Sequence, residues 1–535
     1  MKTTQKMFTF LMAMIMILSV FTMTSVASAT NSAQDSVPPV QGPTITADPA
    51  SPTGYSVTFV YYNPNATGVR LAGDLTLLDI NTGPSIRYQP EEWQLGRYHV
   101  GGVEFLRDMT EDADGYWSAT IPMHAGGLSY WYRVDDPTQG WTNHRIWDPA
   151  GTHPRPTIDP ANPIFSTPFR IRNNNDVLDA VYVPIDAEKQ DDPTLISRAT
   201  YELPIADPAQ RGTVQYIPYT TILGDYGYHL GVYLPAGYDP NRAEPYKVIY
   251  FAHGIFGDET DGMIPGNMPN ILDNMIARGE IEPTVLVTMG NHFTGTSVSF
   301  FSYNTTNAAN NLVQTILPFI EANYNVSNKR EGRAFGGFSY GGSTGGIVIK
   351  SYPTTFGYYG FFSGNPSLTT ENYDNIADAV GTNNLFVFLG RGYFEGNLNA
   401  VNTIRDNFRT REIFSETASV NGAHDMMTAG MLFTIFARDY LWTLPEQQIG
   451  SLKETVAGLD IIGGGSGGIK NALTVKLDQA LKLLSKDKPF EAVSILKNDF
   501  IGQVSDLTGV KLTEEQATEL TTAAEQIILT IINSN

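Results

Sequence analysis

Arg333-Ala334-Phe335-Gly336-Gly337-Phe338-Ser339-Tyr340-Gly341-Gly342 is the stretch on which the fold turns. A short apolar run leads into Gly-x-Ser-x-Gly, and residues 343–350 (STGGIVIK) read as a helix. The pattern is that of a nucleophile elbow, a sharp strand-to-helix turn with a serine at its apex. Such a turn crowds the backbone on either side of the serine. Glycine at 337 and 341 relieves the crowding because it has no Cβ. The expected result is an exposed Ser339 Oγ above a sheet. The Tyr340 N–H, at the positive end of the helix dipole, would face a developing oxyanion. Gly-x-Ser-x-Gly also arises by chance in a chain with 50 glycines, so the flanking strand and helix carry weight here.

Chain order selects the partners. In an α/β-hydrolase the serine comes first, then an acid, then a histidine. Of the eight histidines, at 99, 124, 144, 153, 229, 253, 292 and 424, only His424 follows Ser339. It lies in Val420-Asn421-Gly422-Ala423-His424-Asp425, after a candidate strand at 416–420. That loop would place a base beside the serine; the alternative is an idle, solvated histidine. The acid should follow the preceding strand. Leu385-Phe386-Val387-Phe388-Leu389 is an apolar run closed by Gly390, as a buried parallel strand would be. The next carboxylate is Glu395, whose task would be to hold the His424 tautomer. Asp374 and Asp378, before the strand, and Asp406, in an expected helix at 401–414, compete with it. A second oxyanion donor is expected after the strand 248–252, where His253-Gly254-Ile255-Phe256-Gly257-Asp258 turns. The Ile255 N–H is the first choice and that of Gly254 the alternative. His253 reads as structural, hydrogen-bonded to the loop backbone.

The chain has 535 residues, a formal charge of −21 and no cysteine. The charge excludes nucleic acid and anionic membranes as natural partners, because both would repel it. Absence of thiols excludes disulfides, cysteine nucleophiles and cysteine metal sites. Residues 1–29 read as a signal peptide, with Lys2 and Lys6, an apolar stretch at 8–20 and Ala27-Ser28-Ala29 before the cleavage point. The expectation is a secreted, extracellular chain with no membrane span.

Residues 30–52 are polar and proline-rich and read as a linker. From 53 to 175, short aromatic and β-branched runs alternate with Asn, Asp, Gly and Pro turns, as in an antiparallel β-sandwich. Trp93, Trp117, Trp131, Trp141 and Trp147 cluster there. They read first as core, with a sugar-stacking surface as the alternative. Residues 176–212 form a connector, and edge strands are expected on either side of its start, at 167–171 and 180–184. Strands at 214–221, 229–234, 248–252 and 284–289 alternate with helices at 268–278 and 308–324, which is an α/β pattern. This central domain spans 213–445 and closes with a helix at 426–442. A glycine-rich linker is expected at 446–468, followed by a bundle of three short helices at 469–535. The fold class is thus multidomain: N-terminal β-sandwich, central α/β-hydrolase, small C-terminal helical bundle.

Four ordered blocks carry a family resemblance: Val232-Tyr233-Leu234-Pro235-Ala236-Gly237-Tyr238, Tyr250 to Asp258, Gly336 to Gly342, and Gly422-Ala423-His424-Asp425. The central domain resembles the esterase D group, including carbohydrate esterase family 1, with its feruloyl esterases, acetylxylan esterases and siderophore-esterase relatives. The resemblance implies a serine esterase acting through Ser339, His424 and the N–H groups of Ile255 and Tyr340, with neither cofactor nor metal. Its substrates would be feruloyl or acetyl esters on plant cell-wall polysaccharide. Family members commonly carry Asp where this chain has Tyr393, two residues before Glu395. After His424 they often carry an aromatic, where this chain has Asp425-Met426-Met427. The N-terminal module resembles immunoglobulin-like modules related to carbohydrate-binding family 48, on 57–62 and Asp114-Gly115-Tyr116-Trp117-Ser118. The C-terminal module resembles helical tails of the FIMAH type. Two further readings stay open: acyl transfer to a sugar through the same triad, and a polysaccharide-binding protein with a decayed esterase domain.

Overall fold

Eight strands of the central domain pair into one sheet in the order Thr213–Thr220, Tyr226–Leu234, Thr284–Met289, Lys247–Ala252, Arg333–Phe338, Tyr358–Phe362, Phe386–Gly392, Phe414–Val420. The first two strands are antiparallel to their neighbours, and the remaining six run parallel. The computed structural model describes residues 38–142, 145–157, 178–224, 226–291, 304–380, 385–396, 398–411, 413–442, 445–464, 466–484, 486 and 488–534. The expected signal peptide, the expected strand at 167–171, His144 and His292 lie outside the described residues.

Alternation along the parallel strands decides which face each side chain enters. Val248, Tyr250, Phe335, Tyr359, Phe361, Val387 and Leu389 enter one core, under Ala308, Leu312, Val348, Ile376 and Phe408 of the covering helices. Ile249, Phe251, Ala334, Phe362, Phe386 and Phe388 enter the other, under Met268, Leu272, Met275, Leu432 and Phe436. A parallel sheet covered on both faces explains why its strands are near-continuous apolar runs. The carboxyl ends of these strands form the crown on which the site is built.

The N-terminal module has two main sheets. One is Gly42–Ala47, Tyr55–Tyr62, Tyr116–Pro122 and Thr110–Glu111; the other is Gly140–Trp141, Gly126–Asp136, Gly68–Gly73 and Phe105–Asp108. Residues 42–47, expected within the linker, are instead the first strand. Thr44, Ile45 and Thr46 suit a strand, and Pro43 is tolerated because this strand lies on the sheet edge. A third sheet, Gly83–Tyr88, Thr76–Asp79 and Arg97–Val100, was not anticipated. Trp93, Trp117 and Trp131 are buried, whereas Trp141 lies half-exposed against the Arg70 guanidinium.

The connector is more regular than its proline content suggests. Asp179–Val183 pairs with Gly126–Asp136 and extends the sandwich. Helix Pro193–Tyr201, capped by Asp192, reaches the central domain, where Asn274 Nδ2 donates to the Tyr201 and Leu203 carbonyls. The expected linker at 446–468 is likewise corrected. Helix Pro445–Gly458 covers half of it and buries Ile449, Leu452 and Val456, spaced three and four apart. Among the described residues it joins the three expected segments of the bundle, helix Ser466–Leu484, the helical run from Pro489 to Leu507 and helix Glu514–Ser534, as a fourth. Val40–Asn535 form one compact unit.

Candidate active site

The elbow is built by close backbone approach. A Cβ on Gly341 would stand 2.0 Å from the Ala252 carbonyl oxygen, and one on Gly337 would stand 2.4 Å from that of Gly341. No side chain fits at either place. Ser339 has φ of 51° and ψ of −110°, a conformation L-residues avoid, between strand Arg333–Phe338 and helix Tyr340–Ser351. The helix thus starts three residues earlier than the sequence pattern indicates, at the residue after the serine. Ser339 N–H donates to the Phe362 carbonyl at 3.0 Å, which ties the apex to the neighbouring strand end.

His424 Nε2 lies 2.7 Å from Ser339 Oγ, and its Nδ1 lies 3.0 Å from Glu395 Oε2. The imidazole rests on the Phe338 ring, with centroids 5.0 Å apart. Its side chain is 51% exposed, while that of Glu395 is only 4% exposed. Glu395 is therefore held in the protein, and His424 faces solvent. Glu395 sits in the 3-10 turn Tyr393–Glu395 after strand Phe386–Gly392. Its Oε1 accepts the Gly392 N–H at 2.9 Å and the Ser363 hydroxyl, and Arg391 Nε stands 3.6 Å from Oε2. Every oxygen of this buried carboxylate is thus met by a donor. The acid and histidine loops also touch directly. Phe394 N–H donates to the Gly422 carbonyl, and a Cβ on Gly392 would stand 2.5 Å from that oxygen.

The competing carboxylates lie elsewhere. Asp374 pairs with Arg411, Asp406 with Arg405, and both are exposed, as is Asp378 on helix Thr370–Val380. The helix expected at 401–414 runs from Leu398 to Arg409, cut short by the strand that starts at Phe414.

The loop proposed for the second donor lies beside the serine. A Cβ on Gly254 would stand 2.9 Å from the Phe338 ring and 3.2 Å from Ser339 Cβ. Ile255 and Phe256 follow, 38% and 40% exposed, and Phe256 has φ of 66°. His253 is buried within this loop. It accepts the Asn291 N–H at Nε2 (2.9 Å), so Nδ1 carries the hydrogen that the Gly254 carbonyl accepts. Asn291 Nδ2 in turn donates to the His253 carbonyl. The histidine therefore braces the turn that presents Ile255, while Asn291 supplies the brace from the next strand.

Residues that sequence reasoning missed are second partners of the expected ones. Ser363, with φ of 49°, stands at the end of strand Tyr358–Phe362 and donates to Glu395. Its only signal was a polar residue closing the apolar run Tyr358-Tyr359-Gly360-Phe361-Phe362, at the same sheet edge as Ser339. Asp425 caps helix Met426–Ile435 through Thr428 N–H at 2.7 Å; burial pushes its carboxyl above the ordinary aspartate range. Among the described residues no group of three His, Asp or Glu side chains is placed to hold a metal ion.

Residues 225–386 match the family model described as "Putative esterase". This stretch is similar to that esterase family. The match takes in Ser339 and the 253–258 loop and ends before Glu395 and His424. The chain is 32% identical over 207 residues to Endo-1,4-beta-xylanase Y of Acetivibrio thermocellus, covering 34% of this chain and 18% of that protein. It is 31% identical over 165 residues to the Endo-1,4-beta-xylanase/feruloyl esterase of Xylanibacter ruminicola, covering 30% of this chain and 22% of that protein. The chain thus spans about a fifth of the length of these curated relatives. Among solved structures, the feruloyl esterase module of Clostridium thermocellum in complex with sinapinate aligns at 24% identity and a TM-score of 0.37, over 44% of this chain and 89% of the module. The enterobactin esterase of Shigella flexneri aligns at 13% identity and a TM-score of 0.40, over 74% of this chain and 96% of that one. Among the described residues no helix is long and apolar enough to cross a membrane.

Proposed function

We propose that the chain is a secreted serine carboxylic-ester hydrolase that removes feruloyl or acetyl groups from plant cell-wall polysaccharide. The observation that carries the mechanism is the continuous hydrogen-bond path from Ser339 Oγ through His424 to Glu395, at 2.7 and 3.0 Å. His424 Nε2 takes the hydroxyl proton as Oγ bonds to the ester carbonyl carbon. The carbonyl oxygen becomes an oxyanion facing the N–H groups of Ile255 and Tyr340; losing one such donor costs on the order of 100-fold or more in rate. The C–O bond to the alcohol breaks, and that oxygen takes the proton from His424. Water then loses a proton to His424 and attacks the acyl carbon, and Ser339 leaves with its proton restored. Glu395 fixes the tautomer that leaves Nε2 free to accept and stabilises the imidazolium.

The acyl class rests on the relatives. The Xylanibacter ruminicola protein carries feruloyl esterase in its name, and both relatives carry xylanase. Exposed Ile255 and Phe256 beside Ser339 suit an apolar acyl group. Hydrolysis is favoured over acyl transfer because the base is half-exposed and open to water. Glu395 at hydrogen-bond distance from His424 argues against a decayed site, whose main support was the tyrosine at 393. The test is turnover of p-nitrophenyl acetate, methyl ferulate and acetylated xylan by the parent and by Ser339→Ala. Turnover by the parent alone is the expected result, and the best substrate names the acyl group. Equal turnover by both would sink the mechanism.

A further inference from the structure

The loop that carries His424 is held from outside by the N-terminal module and its connector. Residues 421, 423, 425 and 427 each meet them. Asn421 Nδ2 donates to Tyr98 Oη at 3.0 Å and to Thr194 Oγ1 at 2.9 Å, and Tyr98 Oη donates to Asp192 at 2.7 Å. Ala423 lies at the margin of a cluster in which Leu77, Leu78, Tyr98 and Val100 of the third sheet, with Trp93 from the loop between its strands, pack on Leu195 and on Phe394. Phe394 is the residue before the acid. Asp425 Oδ2 accepts the Gly101 N–H at 2.8 Å, while Oδ1 caps the helix that follows. Met427 is 2% exposed and sits in the sandwich core with Val57, Phe59, Leu128 and Val181.

His424 is the member of this segment whose side chain turns the other way, to Ser339 and Glu395. The esterase domain holds the loop from the other side, through Ser339 and Glu395 on the imidazole, the Phe338 ring beneath it, the Phe394–Gly422 backbone bond and Met426 in its core. We infer that the N-terminal module is a positioning element for His424, setting the base against Ser339 for every substrate, including esters that carry no sugar. This rests on the reading of Ser339, His424 and Glu395 as the triad. The physical reason is the steep dependence of proton transfer on placement. A displacement of about 1 Å at a catalytic group costs on the order of 100-fold.

Three variants of the full-length protein test it. Gly101→Ala drives a wedge into the seam, because the added Cβ would stand 2.6 Å from Asp425 Cβ. Tyr98→Phe removes only the oxygen that Asn421 holds. Tyr62→Ala, at the exposed end of strand Tyr55–Tyr62 and outside the seam, is the control. The primary readout is the rate at which a fluorophosphonate labels Ser339, located by peptide mass spectrometry. In that reaction the Oγ–P bond forms, the P–F bond breaks, fluoride leaves and His424 takes the proton, so no knowledge of the natural ester is needed. The second readout is kcat, KM and the pH profile of kcat on p-nitrophenyl acetate.

The expected result is labelling and kcat slowed about 10- to 100-fold in Gly101→Ala and about 3- to 10-fold in Tyr98→Phe. KM should stay within about twofold, the limb of the pH profile set by the base should move, and Tyr62→Ala should match the parent. Parent-like labelling and pH profile in Tyr98→Phe would overturn the inference, even if Gly101→Ala failed to fold. Should the parent itself resist labelling at Ser339, the triad reading fails and the inference with it. Labelling of the parent with no change in the seam variants defeats the inference alone.

Discussion

The esterase domain meets its two neighbours in different ways. Against the N-terminal module it shares a core: Met427 enters the sandwich, and Phe394 packs with Trp93 and Tyr98. Against the C-terminal bundle the traffic is sparse. Among the described residues, Leu529 of the bundle enters the esterase core, and Gln526 Nε2 donates to the Asp439 carbonyl. Elsewhere a cleft of about 480 Å³ separates the two, lined by Arg278, Glu280, Arg438, Asp439, Gln448 and Gln526. The bundle closes a core of its own around Leu452, Leu477, Phe500 and Leu520. One neighbour is thus part of the domain in all but sequence, and the other leans on it.

The largest effect should come from removing each neighbour in turn. Deleting residues 38–175 strips Met427 and Phe394 of their cover and should cost at least about 100-fold in Ser339 labelling, or the folded state itself. Ending the chain at residue 444 should leave labelling within about twofold. Equal losses from the two deletions would erase the distinction. A matched pair of point changes sharpens it. Met427→Ala and Leu529→Ala each open a cavity at a seam and should each cost about 2–4 kcal/mol, read by denaturant unfolding. Only Met427→Ala should also lower kcat.

A smaller effect is expected at the acid. Ser363→Ala removes one donor from Glu395 and should lower kcat about 10-fold with KM little changed, measured on p-nitrophenyl acetate. The smallest is a pH effect at the first seam. The Asp74 carboxyl lies beneath Gly101. Desolvation pushes its pKa up to about 7, Asp425 and Glu104 add to the rise, and Arg145 opposes it. An acid with a raised folded-state pKa favours folding fully below its unfolded pKa, and that contribution is lost as pH rises toward 7. Asn mimics the neutral acid. Asp74→Asn should therefore raise Tm by a few degrees at about pH 8 and by little at about pH 4. A gain equal at both values would assign the effect to packing rather than charge.

Much of the central domain was legible. Continuous apolar strands followed by helical periods describe a parallel sheet, and a single histidine after Ser339 leaves little choice of base. Glu395 was legible only as the first carboxylate past a strand; what ranks it above Asp374 and Asp406 is burial, which spacing does not carry. The seam was not legible at all. Gly101 and Asp425 are 324 residues apart in sequence, and nothing local to either marks the other. The strand at 42–47 hid behind its proline, because an edge position tolerates what a central one would not. The helix at 445–458 was hidden by the glycine run after it.

Met427 in the sandwich core also has a consequence in time. The module that receives it is the first part of the described chain to be made, and the histidine loop comes more than 300 residues later. Long-range closures of this kind form late in folding. Once Ser339 has been made, His424 is still 85 residues away in the chain, and the two can meet only when the end of the sheet returns to its beginning.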